Sequence, residues 1–485
     1  MFVAVALAPM VTVDLPPMTD LLHHLAVAHV LVHANDPVLR YGEQLEIALR
    51  PLPTIASYGV LASFDAFFGP WVAAKLYLAC FVIGLFFSAA FYLRSAGSPR
   101  PVGLAVVVLP LVFSWPVYMG FLPFIATLPI YLILLGVHLR QQARSRRVAL
   151  LIALQLLLFG FHVVGAAVGA FSVAVLSGIA WLRKRCTMSE LVLDLLSCVP
   201  VTAATIAYLL KGGPKIVVPS SSGLERFKAM LGYTAGSLHD SVQALLLLGI
   251  ASLAAAGLAL AWRRRCRVEI AVLCGLLFAL GLALPVSLGS LWPAGPRLMP
   301  YALLASVGLL ATCRLAPLAA AVGLVLVPSA WLTWHRSVEI NADYSHFREA
   351  ARFLAPGSDF LPVFADLRAG SSSIQPFWSL PSALTIETGA IHPYLFATPH
   401  VTTGASPLKY RHRQGFAFLY EDHVDPARYR GASRDYESVV LWGDLPSVAS
   451  ILSEEFDTVL DDPPLRVLHR RSTRDPRPIE AGQGR

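Results

Sequence analysis

The sequence predicts a polytopic α-helical membrane protein of about ten or eleven crossings, with a smaller α/β domain at its C-terminal end. Three observations predict it. Hydrophobic residues make up 56% of the 485 and charged residues only 14%, against about a quarter charged in a soluble domain. Apolar runs recur at lengths that cross a hydrocarbon core about 30 Å thick, and in lipid each must be helical to satisfy its own backbone. Beyond about residue 335 the runs shorten and charge rises.

The apolar runs are 70–93, 102–118, 120–139, 148–182, 190–210, 241–262, 268–290, 298–313 and 316–334. Arg94 with Arg100, "RQQARSRR" (140–147), "RKR" (183–185), "RRRCR" (263–267) and Arg314 separate them. Short basic loops stay in the cytoplasm, so these turns belong there. Run 148–182 has a basic cluster at each end, and one straight helix of that length would reach roughly 52 Å. It must therefore go out and return, breaking near "FGFHVVG" (159–165), which puts His162 at the outer surface. The other runs then alternate, and residues 14–69, 211–240, 291–297 and those after about 335 fall outside the cytoplasm. The net charge of +8 resides in these turns and reports orientation; nucleic acid is not an expected partner, and the lipid bilayer is.

Met1 to Val13 is short for a spanning helix and lacks both a basic start and a clear cleavage site, so it reads as a short anchor or as the remnant of a longer first helix. The six cysteines all lie within or beside apolar runs, without metal-ligand spacing, and imply neither a disulfide framework nor a zinc site. Residues 1–334 form the transmembrane module, with 14–69 expected as short helices along the outer interface. Residues 335–470 form the extracytoplasmic α/β domain, where "DFLPVFADL", "ESVVLWGDL" and "PLRVLHRR" read as strands and "YSHFREAARFLA" as helix. Residues 471–485 have the composition of a flexible tail.

Chemistry concentrates in the first outer loop, "VDLPPMTDLLHHLAVAHVLVH" (13–33). Asp20 and His24 are four residues apart and share a helix face, a carboxylate and an imidazole suited to moving a proton. The competing reading is structural: Asp is a favoured helix N-cap, and Pro16 and Pro17 mark a helix start. His23, His29 and His33 read as interfacial structural residues. Arg297 follows "WPAGP" at an outer helix start, where a permanently charged fork can hold a phosphate or simply snorkel to the interface. Arg40 and Lys75 are further phosphate candidates, and His162 is an ionisable group in an apolar run that faces either a chamber or a backbone partner. Asp36, Glu43 and Glu46 are spare loop carboxylates. The α/β domain carries neither a phosphate loop nor a nucleophile elbow, and "DLRAGSSS" (366–373) reads as a turn.

The loop opening with Asp, Pro and Asp-x-x-x-His, then "LPTIASYGVL" and "GPWVAAKLYLA", resembles bacterial membrane glycosyltransferases of the GT-C type. "WPVYMGFLPF" (115–124), "FGFH" (159–162) and "GPRLMPYALL" (295–304) stand where such proteins carry an aromatic turn, a membrane histidine and an Arg-x-x-Pro segment, so the resemblance covers most of residues 10–335. It implies inverting transfer of a sugar from a polyprenyl-phosphate carrier to a cell-envelope acceptor at the outer face of the bacterial inner membrane. It maps the base to Asp20 or, less well, to Asp14, with His24 orienting the base. Arg297 would then hold the carrier phosphate, with His162, Glu43, Arg40 and Lys75 as further substrate-binding candidates. The first helix is shorter than the family's, and the family's adjacent acidic pair is missing. No cofactor is expected: some GT-C enzymes use a divalent cation, but no ligand constellation supports one here. The alternative is a transporter or flippase of lipid-linked saccharide, which would bind with the same residues but concentrate them near the midplane.

Overall fold

The computed structural model describes residues 1–48, 52–140, 143–211, 216–217, 223–262, 268–284, 287–288, 293–312, 315–368, 374–397, 406–411 and 426–471. The basic turn 263–267, Arg314, residues 369–373 of "DLRAGSSS" and all but Arg471 of the expected tail lie outside them.

The chain begins with α1 (Phe2–Val11), α2 (Leu21–His33) and α3 (Ile55–Phe68). The membrane helices follow: α4 (Pro70–Ser95), α5 (Leu122–Leu139), α6 (Arg144–Phe161), α7 (Val163–Leu182) and α8 (Met188–Lys211). Then come α9 (Gly223–Ala235), α10 (Asp240–Trp262), α11 (Val268–Ala283), α12 (Met299–Ser306) and the long α13 (Leu315–Arg348). Among the described residues five segments are long and apolar enough to cross a membrane, by length and composition: Pro70–Ser95, Leu122–Leu139, Val163–Leu182, Met188–Tyr208 and Leu318–Phe353. Shorter apolar helices complete the bundle, and the architecture is that of a polytopic helical membrane protein.

Proline shapes one crossing and a histidine another. Run 102–118 does not form one α-helix; it divides into Pro101–Leu104, the tighter 3-10 stretch Ala105–Phe113 and Trp115–Tyr118. Pro110 within it and Pro116 after it each withdraw a backbone donor and crowd the preceding turn. Run 148–182 does split, and at His162: α6 ends on Phe161, His162 is extended (φ −163°, ψ 134°), and its Nδ1 accepts the Val164 amide at 3.2 Å to start α7. Histidine here caps the returning helix.

The α/β domain is built on β1 (Phe360–Phe364), β2 (Ser438–Trp442), β3 (Phe456–Asp462) and β4 (Leu465–Arg470), ordered β1-β2-β4-β3. β1 and β2 run parallel, and the other pairs antiparallel. The parallel pair β1 and β2 is buried at every position, because Phe360, Phe364, Val440 and Trp442 join the large core while Leu361, Val363, Val439 and Leu441 form a second core on the opposite face. β3 escapes the sequence reading because "FDTVLDD" is the exposed edge and carries three aspartates. α13 runs on past residue 334 to Arg348 and, with a 3-10 turn to Phe353, delivers the chain directly into this sheet. "YSHFREAARF" is thus the end of the last long helix.

The sheet domain sits on the segment 14–69. Helix α14 (Pro381–Thr388) packs on α2, ten of whose residues, Leu21 through Val30, are buried. An all-round apolar helix needs such enclosure, so α2 lies beneath the domain instead of showing one face to water. Tyr41 donates to the Thr385 carbonyl at 2.8 Å, and Arg348 pairs with Glu387.

Candidate active site

Four segments far apart in sequence meet at the mouth of the bundle. Asp20 is held by its backbone: Thr19 and Asp20 donate their amides to the carbonyls of Tyr118 and Met119 at 2.9 and 3.0 Å. This docking needs Gly120, whose φ of +69° suits glycine and whose missing Cβ would stand 2.6 Å from the Leu21 nitrogen and 2.9 Å from that of Asp20. On the other flank Thr19 Oγ1 accepts from the Gln375 amide at 3.2 Å, and Ser379 Oγ donates to the Met18 carbonyl at 3.4 Å. The sheet domain and the "WPVYMGF" turn therefore clamp the residue between them.

The Asp20 side chain makes no capping bond although it occupies the N-cap position of α2, so the capping reading of the sequence does not describe it. It has no hydrogen-bond or ion-pair partner among the described residues, yet the surrounding protein pushes its carboxyl up to about 7 by burial, with Arg297 pulling in the opposite direction. The residue keeps partial exposure. Its carboxylate is thus desolvated, partly accessible and without a partner among the described residues.

Arg297, in the turn Gly295–Leu298 before α12, is 9% exposed and close enough to Asp20 to act on its charge without forming a direct ion pair with it. Its Nη1 lies 3.0 Å from His162 Nε2. Its guanidinium carbon sits 4.3 Å from the ring centre of Phe121 and 5.5 Å from that of Phe124. Two aromatic faces and an imidazole hold the fork at one depth. His162, at the apex between α6 and α7, thus caps α7 through Nδ1 and receives the arginine through Nε2.

His24 does not bond Asp20. Its Nδ1 lies 3.0 Å from the Tyr58 hydroxyl, and burial pushes the imidazole down to about 3, so it is neutral. Tyr58, which feels the Asp20 charge, is a neighbour that the sequence reading did not assign. His23 faces the other way, into a closed chain: Nδ1 to Ser382 Oγ at 2.7 Å, and Ser382 Oγ to His392 Nε2 at 3.0 Å, all fully buried. Asp14 is exposed and lies outside the cluster. Arg40 and Glu43 pair with each other at 2.6 Å on the surface, side chains half exposed. Lys75 is half-buried early in α4.

The unassigned members were visible as motifs without roles. Tyr58 lies in "LPTIASYGVL", and Gly120, Phe121 and Phe124 lie in "WPVYMGFLPF". Helix α9, in the segment 211–240, packs near Arg297's turn and sets Tyr233 edge-to-face against Trp115, ring centres 4.8 Å apart.

The fold is that of a polytopic helical membrane protein, with an acid, an arginine and aromatic rings at one end of the bundle. The particular likeness is to ArnT from Cupriavidus metallidurans. The crystal structure of ArnT bound to undecaprenyl phosphate matches with a TM-score of 0.56 at 13% identity, over 97% of this chain and 98% of that one. The apo structure matches with a TM-score of 0.52, also at 13% identity, over 96% of each. The likeness is one of fold. No protein-family model matches the chain, and no curated protein matches it in sequence.

Proposed function

We propose that the chain transfers a sugar from a polyprenyl-phosphate donor to a hydroxyl acceptor at the extracytoplasmic face, with inversion at the anomeric carbon. The observation that carries this reading is an Asp20 carboxylate without a partner among the described residues that feels the charge of a buried Arg297 without a direct ion pair. A carboxyl pushed up to about 7 is about half ionised at neutral pH and suited to taking an acceptor's proton. The acceptor oxygen then attacks C1 opposite the phosphate, the C1–O bond breaks, and the electron pair leaves on the polyprenyl phosphate. Arg297 offsets the added negative charge. The proton remains on Asp20 until product leaves.

Geometry and charge together support the extracytoplasmic side. His162 touches Arg297, whereas the basic ends of the same helices, Arg144 and Arg183, lie 18 and 21 residues away, roughly 27 to 32 Å along helix. A membrane thickness therefore separates the cluster from the arginine-rich turns, which the positive-inside rule keeps in the cytoplasm. An apolar groove of about 310 Å³, lined by Ala166, Ala170, Ala174, Val201 and Thr205, starts one turn from His162 between α7 and α8 and offers a prenyl tail a lateral path. ArnT binds undecaprenyl phosphate, a carrier of this class. A flippase would instead concentrate its polar groups at the midplane.

The test is transfer from synthetic polyprenyl-phosphate sugars by the purified protein, beside Asp20→Asn. Transfer by the parent and its loss in the variant are expected. Equal transfer by both removes Asp20 as base, and saccharide movement across vesicles without transfer establishes the flippase.

A further inference from the structure

Histidines 29 and 33 stand one turn apart on α2, and folding brings Asp65 of α3 to them. One ligand atom from each lies within 4.8 Å of the other two. His29 Nδ1 is 2.8 Å from Asp65 Oδ2, and the two imidazole rings are 4.3 Å apart. We propose that His29, His33 and Asp65 form a divalent-metal site, of the zinc class, that fastens α2 to α3.

The ligand set points to the metal class. Two imidazoles and one carboxylate suit zinc and its neighbours, whereas calcium and magnesium take oxygen alone. The i, i+4 spacing places both histidines on one helix face, and the third ligand comes from another helix, so binding is possible only in the folded chain. The distances permit it. For three atoms at most 4.8 Å apart there is always a point no more than about 2.8 Å from each, and sub-ångström side-chain shifts bring that to roughly 2.0–2.2 Å.

A second observation points to a missing cation. Asp65 is 3% exposed, and its Oδ1 is buried without a hydrogen-bond partner, while Oδ2 meets His29. A carboxylate oxygen shut away from water and left unpartnered is costly, and a bound cation removes that cost. His33 is half exposed and gives the ion a route from solvent, with the fourth coordination position left to water. Asp36 Oδ2, 3.7 Å from His33 Nδ1, lies beyond ligand distance and can orient that ring.

The site is not part of the Asp20 cluster. His29 is nine residues along α2 from Asp20, roughly 13 Å of helix, so the metal would act by holding the helix whose first turn carries the acid. Burial ties α2 to the sheet domain above; the metal would tie it to α3, which leads directly into α4.

The experiment uses the full-length protein in detergent, stripped with chelator, dialysed and titrated with cobalt(II). Expected is one equivalent bound, with visible d–d absorption of a four- or five-coordinate nitrogen–oxygen site that zinc displaces. His33→Ala, which removes a half-exposed ring, and the near-isosteric Asp65→Asn should each weaken uptake by at least about 100-fold, exceeding what an outer-shell partner is worth. Chelation should lower the melting temperature of the parent and not of the variants. No stoichiometric uptake by a parent that remains folded by circular dichroism would overturn the site and leave His29 and Asp65 a buried pair. Uptake undiminished in both variants would equally overturn it.

Discussion

The two ends of the α6–α7 helix pair treat buried charge in opposite ways. At the basic end the buried carboxylates among the described residues are matched: Asp194, 3% exposed, receives Arg147 at 2.9 Å and Ser177 at 2.8 Å, and Glu269 receives both Arg183 and Arg185. At the His162 end Asp20 is left without a partner while Arg297 stands off from it. Nothing about packing requires that contrast. An acid that serves the fold is satisfied by the fold, whereas one that must meet a substrate keeps its lone pairs open and bears a cost in stability.

Exchanging the two acids for amides tests that contrast most strongly. Asp20→Asn should reduce transfer by about 10²- to 10⁴-fold, the range a positioned general base contributes, measured as initial rate with saturating donor. Asp194→Asn should leave the chemistry in place but lower the melting temperature, since Arg147 and Ser177 lose an ionised acceptor in a buried setting. If Asp194→Asn abolished transfer in a folded protein while Asp20→Asn did not, the roles of the two ends would be reversed. Arg297→Gln comes next, at about 10²- to 10³-fold in kcat. A change in KM alone would make the arginine a ground-state anchor only.

Much of the architecture was legible because the bilayer constrains the chain so tightly. The apolar runs, the break at His162 and the C-terminal strands follow from length, charge placement and alternation. Asp20, His162 and Arg297 were each visible as ionisable groups in apolar or outer-loop settings, but their meeting was not, because 135 residues separate His162 from Arg297 and no local pattern encodes that contact. His24 was paired with Asp20 on helix spacing, and the ring turned instead to Tyr58, a partner 34 residues away that periodicity along α2 cannot reveal. His29 and His33 read as interfacial residues because Asp65 reaches them only through the α2–α3 contact. Glu43 and Arg40, three residues apart, chose each other.

A smaller effect is expected at the turn that docks the acid. Gly120→Ala brings a methyl against the Asp20 and Leu21 amides and strains a φ of +69°, so the turn must open. The costs of strain and lost docking place this substitution among the destabilising ones, at about 1–3 kcal/mol. Because Asp20 moves with its backbone, transfer should fall alongside the melting temperature. Full activity in a destabilised Gly120→Ala protein would show that the acid's position tolerates the shift and that the clamp serves stability alone.

A dependence on pH tests most directly whether Asp20 bears a cost. Its folded carboxyl holds a proton up to about 7, against an ordinary value of 3.8. Above pH 7 the folded state must therefore carry an ionised group it disfavours, a penalty that shrinks as pH falls and is gone below the unfolded value. Asp20→Asn removes the ionisation. Its melting temperature should exceed the parent's at pH 8, and the margin should narrow steadily towards pH 4, while parental transfer rises with pH through about 7 as the base is set free. A margin that stayed constant across that range would mean that the amide stabilises by packing and that the Asp20 carboxylate costs the fold nothing.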